Sequence, residues 1–282
     1  MLLPEITPEL RTWIVAQSAN FSVQHLLESM IKNGWPAEVA QRALETTLNP
    51  AAVQNLRSSS ASSSVVLPEP IVQPGCATLR LPDREDPIII SMSNPRVVVL
   101  SNFLSSEECD SLIEAASPQL ARSEAFVPET GGNAIHSART SRGMFFQRAQ
   151  NELVARIEAR IAALTHWPIE NGEGLQLLHY GPGEEYKPHY DYFDPAHAGS
   201  ATVLKRGGQR VATVIMYLIT PHLGGETTFP DLNLLVSPIK GNALFFSYDR
   251  PHASTRTLHG SVPVMQGEKW VATKWLRESN FV

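Results

Sequence analysis

Apolar residues recur at helical spacing along the first 48 positions. Leu10, Trp13 and Ile14, then Leu26, Leu27, Met30 and Ile31, mark stripes of short amphipathic helices, punctuated by Asn33-Gly34-Trp35-Pro36. Pro36 ahead of AEVAQRALETTL places a proline in the first turn of a further helix. The texture then breaks. RSSSASSS at 57–64, followed by Pro68, Pro70 and Pro74, has nothing with which to bury a core and reads as a flexible linker. From about residue 86 the runs PIIISM and RVVVL are β-rich. Ser105 three residues before Glu108 is a capping-box signature opening one helix, and QNELVARIEARIAAL predicts a second over roughly 150–164. After residue 174, short apolar runs alternate with Gly and Pro turns, the spacing of a sandwich or barrel rather than of βαβ units. The expected architecture is mainly β with flanking helices (α+β). It comprises a helical region at 1–50, a linker at 51–76 and one large domain at 77–282, whose two helices pack on one sheet face.

Composition narrows the function classes. Hydrophobic residues make up 43% and charged residues 18%, ordinary for a globular chain of 282 residues. A net charge of −5, with Lys and Arg scattered, shows no basic stripe and argues against a nucleic-acid partner. No run of about 18 apolar residues suggests a membrane span, and MLLPEITPEL is not a secretory leader, so a cytoplasmic location is expected. Cys76 and Cys109 are too few for a disulfide framework and are expected as reduced, buried thiols.

His189-Tyr190-Asp191 carries the chemistry. In a strand, residues two apart share a face, so an imidazole and a carboxylate there can converge on one ion. His259, in the strand-like TLHGSVPV, is the candidate third ligand. Two histidines and a carboxylate leave open positions on an octahedral metal, the facial triad of non-heme Fe(II) oxygenases. A His-x-Asp alone is a weak signal, and nine histidines make a distant partner easy to find. Lys269, inside GEKWVATKWLRE, adds a second constraint. Facing a barrel interior it needs an anion; at a strand edge it simply meets solvent.

In order along the chain, GEGLQLLHYGPGEEYKPHYDYF, GGQRVATVIMYL, GGETTFP, KGNALFF, LHGSVPV and GEKWVATKWLRE resemble the catalytic domain of the prolyl 4-hydroxylases. These belong to the 2-oxoglutarate- and iron-dependent oxygenases, and the likeness runs from about residue 95 to 280. It implies a double-stranded β-helix (jelly roll), with Fe(II), 2-oxoglutarate as cosubstrate, O2 and ascorbate. It implies His189, Asp191 and His259 as iron ligands and Lys269 as partner of the cosubstrate's C5 carboxylate. Tyr180 and Thr227 would assist at that carboxylate, with Trp275 near the iron. Read alone, Tyr180 and Trp275 are equally core aromatics and Thr227 a β-forming choice.

For the substrate channel the likeness implies Arg139, Glu173, Tyr186 and Arg210, with a Glu173–Arg210 contact satisfying two buried charges. Read alone, the two arginines are equally solvated strand-end charges. The Gly-rich loop from Pro128 to Asn133 is read as a lid or a plain surface loop, and neither His197 nor His222 is assigned to metal. The implied reaction is hydroxylation of a prolyl residue in a peptide or protein, with 2-oxoglutarate decarboxylated to succinate. A free amino acid or other small molecule is the alternative substrate; an open groove favours the peptide and a closed pocket the small molecule. A non-catalytic jelly-roll binding module is the reading from another class, and retention of all three ligands plus Lys269 weighs against it. A zinc or nickel cupin would not require Lys269.

Overall fold

The N-terminal stripes form helices α1 (Pro8–Ser18), α2 (Val23–Lys32) and α3 (Ala37–Thr47), the last with Pro36 as its N-cap. Their apolar faces converge on Ile14, Leu26, Met30, Ala40, Ala43 and Leu44, all buried. The computed structural model describes residues 6–18, 23–48, 67–123, 125–126, 132–134 and 138–282. The chain divides into two compact units, Met1–Val66 and Leu67–Val282. The serine-rich stretch 57–64, and all of the expected linker up to residue 66, lies outside the described residues.

In the second unit, nine strands form one antiparallel sheet. They are β1 (Thr78–Arg80), β2 (Glu85–Ser93), β3 (Arg96–Leu100), β4 (Ala121–Arg122), β7 (Arg142–Phe146), β8 (Leu175–Tyr180), β10 (Arg210–Ile219), β14 (Ala243–Ser247) and β17 (Lys269–Arg277). Their spatial order is β1-β2-β3-β14-β10-β17-β8-β7-β4. A smaller antiparallel sheet has β13 (Leu234–Val236), β12 (Thr227–Phe229), β15 (His259–Ser261) and β9 (Tyr186–His189) side by side. Two ribbons complete the β-structure: β5 (Ala125–Phe126) with β6 (Asn133–Ala134), and β11 (Leu223–Gly224) with β16 (Val264–Gln266).

Strand alternation sorts the core into two layers. Val98, Leu100, Val214, Met216, Phe245 and Ala272 pack with Cys109 and Leu112 of α4 (Ser106–Ala116) and with Val154, Ile157 and Ile161 of α5 (Glu152–Thr165). Their sequence neighbours Val97, Val99, Ile215, Tyr217, Phe246 and Val271 face the other way, onto Phe229 and Val236 of the smaller sheet. Both helices thus cover one sheet face, as expected, and the other face builds the site. The capping box is complete: Glu108 N donates to Ser105 Oγ at 3.1 Å, and Ser105 N to Glu108 Oε2 at 3.0 Å. Glu108 and Asp83 also hold the buried guanidinium of Arg160, whose Nη2 lies 2.9 Å from Glu108 Oε1.

One expectation needs correction. Cys109 is buried but Cys76 is exposed, because it sits in a turn ahead of β1 rather than within a packed element. Both are free thiols. Among the described residues, no helix is long and apolar enough to cross a membrane.

Candidate active site

Three side chains carry the candidate metal centre. The ligand atoms of His189, Asp191 and His259 lie within 4.8 Å of one another, the only such group among the described residues. The mechanism of convergence differs from the sequence expectation. His189 is the last residue of β9, and Asp191 lies in a bend beyond it, so strand alternation does not align them. Register does the work: His259, the first residue of β15, pairs directly with His189 across the sheet. Asp191 Oδ1 then approaches His189 Nε2 to 3.6 Å, and Oδ2 approaches His259 Nε2 to 3.5 Å.

Each ligand is oriented by a fixed neighbour. A carbonyl can only accept, so His189 Nδ1 donates to Lys187 O at 2.9 Å and His259 Nδ1 to Thr257 O at 3.0 Å. Both imidazoles therefore present a bare Nε2 toward the cluster. Thr213 Oγ1 donates to Asp191 Oδ2 at 2.7 Å, which leaves Tyr248 to donate its hydroxyl to Thr213 at 3.0 Å. Burial pushes His259 down to about 4, keeping it neutral. For Asp191, burial acts upward but is outweighed by His259, His189 and Arg210, so its carboxylate stays ionised. Two imidazoles and one carboxylate, turned to one point, fit an iron(II) ion.

Next to the cluster is a small pocket of about 50 Å³ reaching Lys269, Tyr180, Thr227 and Ser261. Lys269 pairs in register with Tyr180, and Thr227 with Ser261, which brings the four together. The Lys269 ammonium donates to Ser261 Oγ at 2.8 Å and makes no ion pair among the described residues. Burial depresses it to about 7. A buried cation opposed only by the more distant charge of Glu226 is costly unless an anion arrives, so the pocket fits a ligand carboxylate. The solvent-edge alternative for Lys269 is excluded by its 2% exposure. Tyr217 donates to or accepts from Thr227 at 2.8 Å.

On the other side of the cluster runs a larger groove of about 580 Å³. Arg139, Tyr186, His189, Asp191 and Trp275 line both spaces, so the metal centre forms the partition between them. Glu173 and Arg210 make the expected contact, bidentate at 2.7 and 3.0 Å. A second guanidinium joins them: Arg277 Nε lies 2.7 Å from Glu173 Oε1, off the N–H axis, as an ion pair without a hydrogen bond. Arg210 also stacks on Trp275 at 3.9 Å, whose indole N–H is buried without a partner among the described residues. Arg139 donates to Gln176 Oε1 at 2.9 Å and lies over Tyr186, which in turn stacks on His189 with ring centroids 3.7 Å apart. Neither arginine is a solvated strand end; both are held inside the wall.

His197 and His222 stay outside the cluster, as expected. Pro128 to Gly131 of the expected lid lie outside the described residues. Sequence reasoning missed Ser261, Thr213, Tyr248 and Arg277. Ser261 and Arg277 each had a local signal, standing two residues beyond His259 and Trp275 on the same strand face. Thr213 and Tyr248 had none, since only the neighbouring strands bring them to Asp191.

Comparison with known proteins agrees with this geometry. Residues 175–277 match the family model described as the 2OG-Fe(II) oxygenase superfamily. The chain is 44% identical over 209 residues to prolyl 4-hydroxylase 5 of Arabidopsis thaliana, covering 66% of this chain and 70% of that protein. It is 41% identical over 208 residues to a probable prolyl 4-hydroxylase 7 of the same plant, covering 66% and 64%. Among solved structures, the viral collagen prolyl hydroxylase of Paramecium bursaria Chlorella virus-1 is 31% identical, with a TM-score of 0.49 over 64% of this chain and 95% of that one. The chain belongs to the 2OG-Fe(II) oxygenase superfamily, in its prolyl 4-hydroxylase branch, and is a dioxygenase using Fe(II), 2-oxoglutarate and O2.

Proposed function

We propose that this dioxygenase hydroxylates a prolyl residue within a peptide or protein. The observation that carries the reading is the division of space around His189 and Asp191. One side is a small pocket of about 50 Å³ ending on a buried lysine; the other is a groove of about 580 Å³. The pocket suits a small dicarboxylate, and the groove has room for a target residue together with its neighbours on a chain. His189, Asp191 and His259 would hold the iron, and Lys269 with Tyr180 and Thr227 would hold the distal carboxylate of 2-oxoglutarate. When bound, iron supplies the oxidative chemistry: one oxygen atom of O2 enters the substrate C–H bond, and the other enters succinate as CO2 leaves. The chain's own residues orient and exclude. Trp275 and Tyr186 close the partition beside the ligands, while the Glu173–Arg210 pair fixes the wall against which a substrate lies. Ascorbate as an accessory reductant belongs to the same proposal and rests on the family resemblance.

The test is anaerobic reconstitution with Fe(II), then exposure to O2 with 2-oxoglutarate and either proline-containing peptides or free proline. Succinate release stimulated by peptide, with a mass gain of one oxygen on proline, is the expected result. Stimulation by free proline alone would transfer the reading to a small-molecule hydroxylase. Omitting ascorbate in the same assay tests its part.

A further inference from the structure

We infer that the larger groove selects peptides with acidic side chains beside the target residue, and that Arg122 is a specificity-determining contact for them. The inference rests on the peptide-hydroxylase reading and names the class of peptide. Its basis is charge. The chain as a whole carries −5, yet among the described residues five arginines line this groove (122, 139, 206, 210 and 277) against two carboxylates, Glu173 and Asp191. Neither carboxylate offsets the excess. Asp191 is committed to the imidazoles of the metal centre, and Glu173 faces two guanidiniums, Arg210 and Arg277, at once. Setting aside Arg206, whose Nε is held by the Val282 main-chain oxygen at 2.8 Å, cations still outnumber anions.

Arg122 is the one placed to meet a ligand from the rim. It ends β4 at the sheet edge, and its side chain is 40% exposed. Its guanidinium is steadied by the main-chain oxygens of Thr140 and Arg139, so its position is set without neutralising it. Its carboxylate neighbour, Glu184, stands 3.9 Å away, with its other oxygen already accepting from Gly181 N at 2.7 Å, so the pair is long and makes no hydrogen bond. A concave wall with an excess of one sign of charge focuses its field and raises both the capture rate and the residence of an oppositely charged partner.

The experiment compares one proline-containing peptide in three versions, flanked by Asp/Glu, by Ser/Ala or by Lys/Arg. Each is assayed with the iron-loaded enzyme and saturating 2-oxoglutarate. The acidic version is expected to show roughly fivefold higher kcat/KM than the neutral one, mostly in KM. The advantage should fade near ~1 M salt, where screening reaches about 3 Å. Arg122→Gln is expected to lower kcat/KM for the acidic version by more than for the neutral one, narrowing the ratio between them. Arg122→Glu should reverse the preference, so that the basic version becomes the better substrate, a rescue that a merely structural role would not produce. Equal kcat/KM for acidic and neutral peptides, or a preference untouched by both variants, overturns the inference and leaves prolyl hydroxylation standing. Absence of turnover with every peptide, alongside turnover of free proline, overturns the peptide reading and the inference with it.

Discussion

The ammonium of Lys269 and the hydroxyl of Ser261 meet at 2.8 Å at the closed end of the pocket, across neighbouring positions that the chain reaches only through two different sheets. Ser261 is a neutral acceptor, so it satisfies one proton of the lysine and none of its charge. The pocket is therefore built to be completed by an anion, and its affinity for that anion depends on the state of Lys269.

The pH dependence of 2-oxoglutarate binding follows. Burial lowers Lys269 to about 7 in the empty pocket, and a bound carboxylate would raise it again. Below about pH 7 the lysine is already charged, so affinity is flat. Above it, binding must take up a proton, and affinity falls with rising pH by up to roughly tenfold per unit. Calorimetry of the Fe(II) protein under anaerobic conditions, in two buffers of different ionisation enthalpy, reads both the affinity and the proton. Affinity that holds constant from pH 7 to 9 would remove the lysine from the binding site.

Thr213→Val removes the donor to Asp191 Oδ2 with almost no change in shape. Divalent-metal affinity should fall by roughly 10- to 100-fold, with the circular dichroism spectrum intact. Tyr248→Phe should have the smaller effect, because Tyr248 reaches Asp191 only through Thr213. Equal losses in the two variants would contradict this order.

Arg160→Met leaves Glu108 buried without its main counter-ion, and stability should drop by about 3–5 kcal/mol in urea titrations. For Glu108, burial acts upward but the Arg160 hydrogen bonds, the Ser105 cap and the nearby guanidiniums outweigh it, bringing it down to about 2. A carboxylate depressed in the native state stabilises above its ordinary value of 4.5 and loses that contribution as pH falls toward 2. Wild-type stability should decline across that window, and the decline should be shallower in Arg160→Met. The KM for 2-oxoglutarate should not move, since this network lies on the helix-covered face.

Ser105→Ala removes the side-chain half of the capping box of α4. A loss of about 1 kcal/mol is expected, without change in turnover. A neutral result would mean that Glu108 alone holds the helix start.

Much of this molecule was legible from local pattern. The capping box, helices α3 and α5, and the alternation of Val97 to Leu100 and of Val214 to Tyr217 are properties of neighbouring residues, and they formed as read. Lys269, Thr273, Trp275 and Arg277 share one face of β17 by period-two spacing, a local signal that was there for Arg277 and went unused. His189 and Asp191 were recognised for the right pairing but the wrong reason, since the strand stops between them.

What the sequence by itself determined is which face each side chain takes and which residue types could serve a metal and a carboxylate. It could not say which strands lie side by side. Only the tertiary structure set His259 opposite His189, Thr227 opposite Ser261 and Lys269 opposite Tyr180, and only it laid Arg277 beside the Glu173–Arg210 pair. The physical reason is that register is decided by pairing between segments tens of residues apart, through burial and hydrogen bonds that no short window of sequence contains.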